Sequence, residues 1–411
     1  MTSVAEPAPG QPAAVEAESL SDAARAWARG LRSGELGSLP ILLGLMVIVL
    51  VFQSLNENFL SPSNFVNLMV QMAGLTTIAM GIVFVLLLGE IDLSVGYVSG
   101  VAGVSVALLL FQDGGELPGP AGIAIALAIG AAIGFLHGVI ITKVGVPSFV
   151  VTLAGLLAWN GVVLLLMAGK GTVIVQDELV IAIANAFLPE TLGWIVILGA
   201  VALYGALQFL GQRARARAGL PTPPATLLML RVAALMAVAV AVVWFAYENR
   251  GIPYVAVMVV LLLVLLSYVA NRTRFGRHVY AIGGNQEAAQ RAGINVDRVK
   301  VTVFMIAGTM AALGGVVFAS RLRSVDTAAG GGDILLNSIA AAVIGGTSLF
   351  GGRGHVKSAL LGALIIASIA NGMGLLGLSA GVKFVVTGVV LLAAVTVDAI
   401  SRRGRASSGR A

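Results

Sequence analysis

The 411-residue sequence contains no cysteine, and only 11% of its residues are charged. Without cysteine there is no disulfide, no thiolate metal site and no cysteine nucleophile. Soluble chains carry roughly a quarter of their residues as charge. A chain this poor in charge, with 58% hydrophobic residues, has more apolar surface than a water-soluble fold can hide, so lipid must be the solvent for most of it. Other absences narrow the chemistry. No G-x-x-x-x-G-K-[ST] phosphate loop occurs: around "MAGKGT" (167–172), Leu164 stands where the first glycine belongs and Gly171 where Ser or Thr should follow the lysine. The three histidines are far apart, which argues against a metal site. There is no D-D-x-x-D acidic pair for magnesium-diphosphate and no G-x-S-x-G nucleophile elbow. The chain reads as a non-enzyme without a cofactor of its own. The net charge of +6 comes without a basic stripe interleaved with aromatics, so nucleic acid is not the expected partner.

What the sequence does have is apolar length. Crossing a hydrocarbon core of about 30 Å takes roughly 20 helical residues. Such runs lie near 39–55, 65–88, 93–111, 119–142, 147–168, 191–210, 225–247, 253–270, 301–320, 335–350, 356–376 and 380–399. Two of them, 65–88 and 335–350, carry many small or polar residues and end in the glycine-rich turns "LLLGEIDLSVG" and "IGGTSLFGG". Either is a candidate for a broken or re-entrant helix, since irregular backbone at membrane depth is tolerated inside protein. The expected fold is therefore all-α and polytopic, with about ten to twelve transmembrane or re-entrant helices occupying 39–400. Residues 1–38 lack the charged start and adjoining apolar core of a signal peptide. They read as a disordered Ala/Pro/Glu-rich tail with a short amphipathic helix.

Positive charge gathers at 211–224, at 271–300 and in the 401–411 tail, with Arg25, Arg29 and Arg32 near the start. The opposite loops hold Glu57, Asp113, Glu116, Asp177, Glu178, Glu190 and Glu248. The positive-inside rule then puts both termini and 271–300 in the cytoplasm, with Arg321 and Arg323 as exceptions. A weak internal repeat supports two duplicated halves: "FVVT" recurs at Phe149–Thr152 and Phe384–Thr387, each after a Gly/Ala-rich apolar run and a glycine-rich break. The Gly130–Gly134–Gly138 spacing predicts close helix packing.

Polar residues inside apolar runs are costly and need partners or water. Glu90, Asp92 and Ser94 interrupt the membrane region together, and Asn160, Asn337, Asn371, His137 and Lys383 do so singly. Glu90, Asp92, Ser94, Asn160, Asn337 and Asn371 are candidates for a pathway or gate. The alternatives are a helix cap for Asp92 or Ser94 and helix-joining hydrogen bonds for the amides.

The polar stretch "GGNQEAAQRAGINVDRVK" (283–300) has its own logic. Asn285 suits an N-cap. Gln286 and Glu287 occupy a first turn, where negative charge suits the helix dipole. Ala288, Ala289 and Ala292 offer a small-residue face, and Gly293 suits a left-handed stop. About two turns of helix cannot stand alone, so something must hold them.

The segment "EAAQRAG" (287–293) resembles the E-A-A-x-x-x-G coupling motif of ABC-transporter permeases. "GEIDLSVG" (89–96), "VPSFVVTLAG" (146–155), "TRFGRHVYAIGGNQEAAQRAGINV" (273–296), "AVIGGTSLFGG" (342–352) and "VVTGVVLLAAV" (385–395) resemble the sugar branch of that family. The resemblance spans nearly all of 60–400. The segment 205–252 is an insertion relative to ribose-type permeases and resembles the extra spans of xylose-type ones, which share Glu90. The resemblance implies the ABC importer permease fold, with Gly284, Asn285, Glu287, Ala288, Ala289 and Gly293 contacting a separate ATP-binding subunit that holds ATP and magnesium. It also implies a homodimer in the bacterial inner membrane, fed with a pentose such as xylose by a periplasmic sugar-binding protein. A proton-coupled sugar transporter using Glu90 or Asp92 is the rival expectation.

Overall fold

The computed structural model describes residues 39–110, 117–220, 222, 224–389, 392 and 396. The tails at 1–38 and 401–411, and the outer-loop acids Asp113 and Glu116, lie outside them. In chain order the helices are α1 (Leu39–Leu55), α2 (Pro62–Leu87), α3 (Val95–Leu109), α4 (Gly119–Val139), α5 (Ser148–Met167), α6 (Glu178–Asn185), α7 (Glu190–Arg217) and α8 (Ala225–Tyr247). They continue with α9 (Tyr254–Arg272), α10 (Arg274–Gly284), α11 (Gln286–Arg291), α12 (Val296–Leu322), α13 (Ile334–Ile344), α14 (Lys357–Leu375) and α15 (Ala380–Val389). Two short strands, β1 (Val173–Ile174) and β2 (Ser324–Val325), pair antiparallel and tie the end of α5 to the end of α12. The described residues form two compact units: one runs up to Phe187 and resumes at Ile252, and the other is Leu188–Gly251.

In the larger unit, α12 is the axis. Glycines let its neighbours touch its backbone: a Cβ on Gly130, Gly134 or Gly138 of α4 would lie 2.4 Å from Gly308 O, 2.1 Å from Phe304 O or 2.7 Å from Val301 Cα. The small-residue spacing is thus a packing seam, and rising numbers on α4 meet falling numbers on α12, so the helices are antiparallel. Along α2, Gly74 abuts Phe318 and Gly81 abuts Met310, again antiparallel. Asn64, at the start of α2, pairs with Asn371 near the end of α14, so α14 runs against α2 while α4 runs with it. The element order long–short–long–"FVVT" helix therefore occurs twice, as α2–α3–α4–α5 and α12–α13–α14–α15, the second copy running opposite to the first. Inverted halves of this kind characterise many transporters.

Each of the twelve apolar runs contains a helix among the described residues, but the lengths differ. Eight helices among the described residues are long and apolar enough to cross a membrane, and four apolar ones are shorter. The run at 65–88 is not broken: α2 is an unbroken 26-residue helix. Its threonines bond within it, Thr76 and Thr77 donating to Met72 O and Ala73 O, and its glycines admit α12. The run at 335–350 is discontinuous as expected. α13 has 11 residues, roughly 16 Å, and ends at Gly345 before Gly346 in a left-handed turn (φ 101°). The run at 93–111 also falls short of a full crossing, since α3 has 15 residues, roughly 22 Å.

In the smaller unit, α7 and α8 form a hairpin. Gly193 lies against the ring of Tyr247, whose hydroxyl donates to Leu188 O at 3.0 Å, and Gly205 packs on Val232. The segment 205–252 falls mostly within this hairpin, with position 205 midway along α7.

The seam predicts an asymmetric response to small substitutions. Gly134→Val should lower stability by about 1–3 kcal/mol through overpacking. Gly161→Ala, with nothing within 4 Å of its Cβ position, should leave it unchanged or slightly raised. Thermal unfolding of the purified protein in detergent checks both.

Candidate coupling site

The 284–293 segment is held by local hydrogen bonds. The Asn285 side chain accepts from Ala288 N at 2.9 Å, as an N-cap should. At the other end Gly293 is left-handed (φ 83°). Its N–H donates to Gln290 O and that of Ile294 to Ala289 O, the paired bonds of a Schellman stop. The structure divides the three alanines. Ala289 is buried, whereas Ala288 and Ala292 are exposed together with Glu287 and Arg291. They are four residues apart and share one face, which Ala289 leaves by about 100°. The helix is thus anchored by one alanine and displays the others to water.

Immediately before it, Gly283 sits where no side chain could. A Cβ there would lie 1.8 Å from Leu87 O and 2.6 Å from Gly352 N. Those two atoms are bonded to each other: Gly352 N–H donates to Leu87 O at 2.9 Å. Gly89 (φ 77°) and Gly351 (φ 82°) turn the chain on either side, and a Cβ on Gly351 would lie 3.0 Å from Gly89 N. The two glycine-rich breaks, one from each inverted half, therefore meet at the base of α11. Tyr280 of α10 adds a bond, its hydroxyl donating to Gly354 O at 2.8 Å. Burial pushes the Tyr280 phenol up from its usual value, so it remains a donor at neutral pH.

Glu90 and Lys300 make an ion pair with side chains only 17% and 12% exposed. It joins the first break to the second turn of α12, just downstream of α11. Asp92 and Ser94 begin the next helix. Asp92 Oδ1 accepts from Ser94 N at 2.8 Å and from Ser94 Oγ at 2.6 Å, so the aspartate orders the turn ahead of α3 rather than capping its first turn directly. The chain of bonds continues. Trp159 Nε1 can only donate, and it reaches His137 Nε2 at 3.1 Å. The His137 proton then sits on Nδ1, facing Ser94 Oγ at 3.4 Å. The start of α3 is thereby fastened to α4 and α5.

Gly96 abuts Gly330 O and Leu335, so the N-terminal ends of the two short helices, α3 and α13, come together. Each is preceded by an aspartate, Asp92 or Asp333, where carboxylates suit the helix dipole. Asn337, one turn into α13, donates to Asp333 Oδ2, and its Oδ1 is buried without a partner. Glu90, Asp92, Ser94 and Asn337 thus belong to adjoining parts of one region. Asn371 does not. Its reciprocal amide pair with Asn64 (2.8 and 2.9 Å) lies at the far end of α2, about 35 Å from Leu87, where it joins α2 to α14. Asn160 is half-buried on α5, beside Trp159 in sequence. Lys300, Trp159 and Gly283 are the residues that sequence reasoning missed. The need of Glu90 for a counter-charge was the available signal for Lys300.

Long apolar helices, inverted halves and a capped helix displayed to water define a polytopic membrane permease. The chain belongs to the family described as the permease component of branched-chain amino acid transport systems, whose model matches residues 64–395. It is 38% identical over 376 residues to the xylose transport system permease protein XylH of Escherichia coli (strain K12), covering 91% of this chain and 94% of that protein. It is 34% identical to XylH of Haemophilus influenzae over 91% and 99% of the two chains. The ribose import permease protein RbsC of Bacillus subtilis is 35% identical over 89% and 94%. No solved structure matches.

The buried ion pair should respond as a pair. Glu90→Gln or Lys300→Met alone should destabilise by about 3–5 kcal/mol, because each leaves a poorly solvated charge. The double variant E90Q/K300M should cost less than the sum of the two, with a coupling energy of about 1–3 kcal/mol in the double-mutant cycle read by thermal unfolding.

Proposed function

We propose that this chain is the membrane-spanning subunit of an ATP-binding-cassette importer that carries a monosaccharide, a pentose such as xylose, across the bacterial inner membrane. The observation that carries the reading is the near full-length identity to xylose permeases. The family description speaks of branched-chain amino acids, and it disagrees with those relatives about the substrate. The relatives are the better guide, because they match almost end to end. In this reading two copies form the pathway, since a closed two-fold pair is the commonest homo-oligomer. A periplasmic binding protein delivers the sugar, and the termini and α11 face the cytoplasm.

Gly284, Asn285, Glu287, Ala288, Ala289 and Gly293 form the docking element for a separate ATP-binding subunit, which supplies ATP and magnesium. Ala289 holds α11 to the membrane domain, while Glu287, Ala288 and the Gly293 stop set the shape of the exposed face. Movement of α11 reaches Gly283 and so both glycine breaks at once. Lys300 carries the same movement to Glu90 and the start of α3. Near the joined starts of α3 and α13, the free acceptor Asn337 Oδ1 suits a sugar hydroxyl, and Asp92, Ser94 and Asn160 contribute to the gate.

The rival reading, proton coupling through Glu90 or Asp92, is weakened by their partners. Glu90 is held by Lys300 and Asp92 by two donors from Ser94.

Glu287→Lys and Gly293→Val should each uncouple ATP hydrolysis from sugar uptake in the reconstituted complex, lowering uptake per ATP by tenfold or more, on the order of 1.4 kcal/mol of lost coupling. Unchanged sugar-stimulated ATPase and uptake in both variants would refute the coupling role. Uptake that persists without ATP and collapses with a protonophore would favour the rival.

A further inference from the structure

The α7–α8 hairpin carries an electrostatic problem that its own residues do not solve. α7 has 28 residues, roughly 42 Å, against a hydrocarbon core of about 30 Å. Its last turns must therefore leave the core, and they carry Arg213, Arg215 and Arg217, all exposed. At 100° per residue Arg213 and Arg217 share one face of the helix and Arg215 points to the opposite side, so no single protein face could receive all three. α8 adds Arg231. Because Gly205 packs on Val232, Arg231 lies about two turns deeper than Arg213, where an arginine must extend its head back to the interface. No Asp or Glu occurs between Glu190 and Glu248. Among the described residues, none of the four arginines takes part in an ion pair.

The surroundings are those of a membrane surface. Leu203, Leu207, Leu210, Met229 and Leu230 are exposed beside the arginines, which suits acyl chains. The Arg213 guanidinium lies over the Phe209 ring, 4.4 Å from its centroid, an amphipathic pair of the kind that settles at headgroup depth. Several arginines adjoining an apolar span, with no carboxylate among the described residues to answer them, fit anionic lipid headgroups.

We infer that the loop end of the α7–α8 hairpin binds anionic phospholipid, the phosphate groups supplying the counter-charge for Arg213, Arg215, Arg217 and Arg231. This needs only that the hairpin spans the bilayer, and it is independent of the transported solute and of ATP coupling. In the proposed orientation the bound lipid belongs to the inner leaflet.

The test uses the full chain, purified in detergent, stripped of lipid and titrated with phosphatidylglycerol or phosphatidylcholine. Native mass spectrometry counts the retained lipids. A photoactivatable phosphatidylglycerol maps its attachment sites. The wild type should retain phosphatidylglycerol at least fivefold over phosphatidylcholine, with crosslinks within 209–231. The preference should fall toward unity in the R213Q/R215Q/R217Q/R231Q variant and persist when the four are lysine. Equal retention of the two lipids, or crosslinks confined to other segments, would overturn the inference, and both readings come from the wild type even if the variant fails to fold. A variant that keeps its lipid preference but loses a partner subunit would assign the arginines to a protein surface and overturn it equally.

Discussion

The bond from Gly352 N–H to Leu87 O, made in the space that a side chain at Gly283 would fill, is the contact on which the coupling account depends. It brings three segments within backbone contact: the end of α2, the turn after α13 and the base of α11. Helix ends have carbonyls without partners, and here the last turn of a long helix is answered by a glycine turn more than 260 residues away in sequence. Any residue larger than glycine at 283 would force the breaks apart. The arrangement is stiff because close-packed backbones have few alternative positions, and stiffness is what a coupling element needs if a small movement at its surface is to bias a larger rearrangement.

The inverted halves explain why two breaks meet there. α2 and α12 run antiparallel, so the glycine turn that follows α2 and the one that follows α13 approach the same end of the unit from opposite halves. The short helices α3 and α13 then meet at their N-terminal ends. Half-helices whose positive ends converge within a membrane domain are a recurrent way to build a solute site. Asp92 and Asp333 partly offset that positive character, and Asn337 Oδ1 is left unbonded beside it. The Asp92–Ser94–His137–Trp159 chain fixes one side of this meeting point to α4 and α5, and the Glu90–Lys300 pair ties the same loop to α12.

Local chemistry was legible in the sequence, and long-range pairing was not. The N-cap Asn285 and the stop at Gly293 depend on neighbours within four residues, so their types alone identified α11. The apolar runs were readable because crossing lipid demands length. Their completeness was harder to judge: glycine and threonine in 65–88 looked like a break, but in α2 they serve packing and internal bonds. The helix α10 was overlooked within a basic loop, although Phe275, Val279 and Ile282 have helical spacing. Nothing local could have paired Glu90 with Lys300, 210 positions apart, or shown that Ala289 faces inward while Ala288 and Ala292 face water.

Hydrogen–deuterium exchange of the assembled transporter, with and without a non-hydrolysable ATP analogue, tests the central claim most directly. If α11 and both breaks form one joint, peptides covering 285–293, 88–94 and 345–352 will change protection together when the nucleotide binds. A change confined to 285–293, with both glycine-rich segments unaltered, would contradict it.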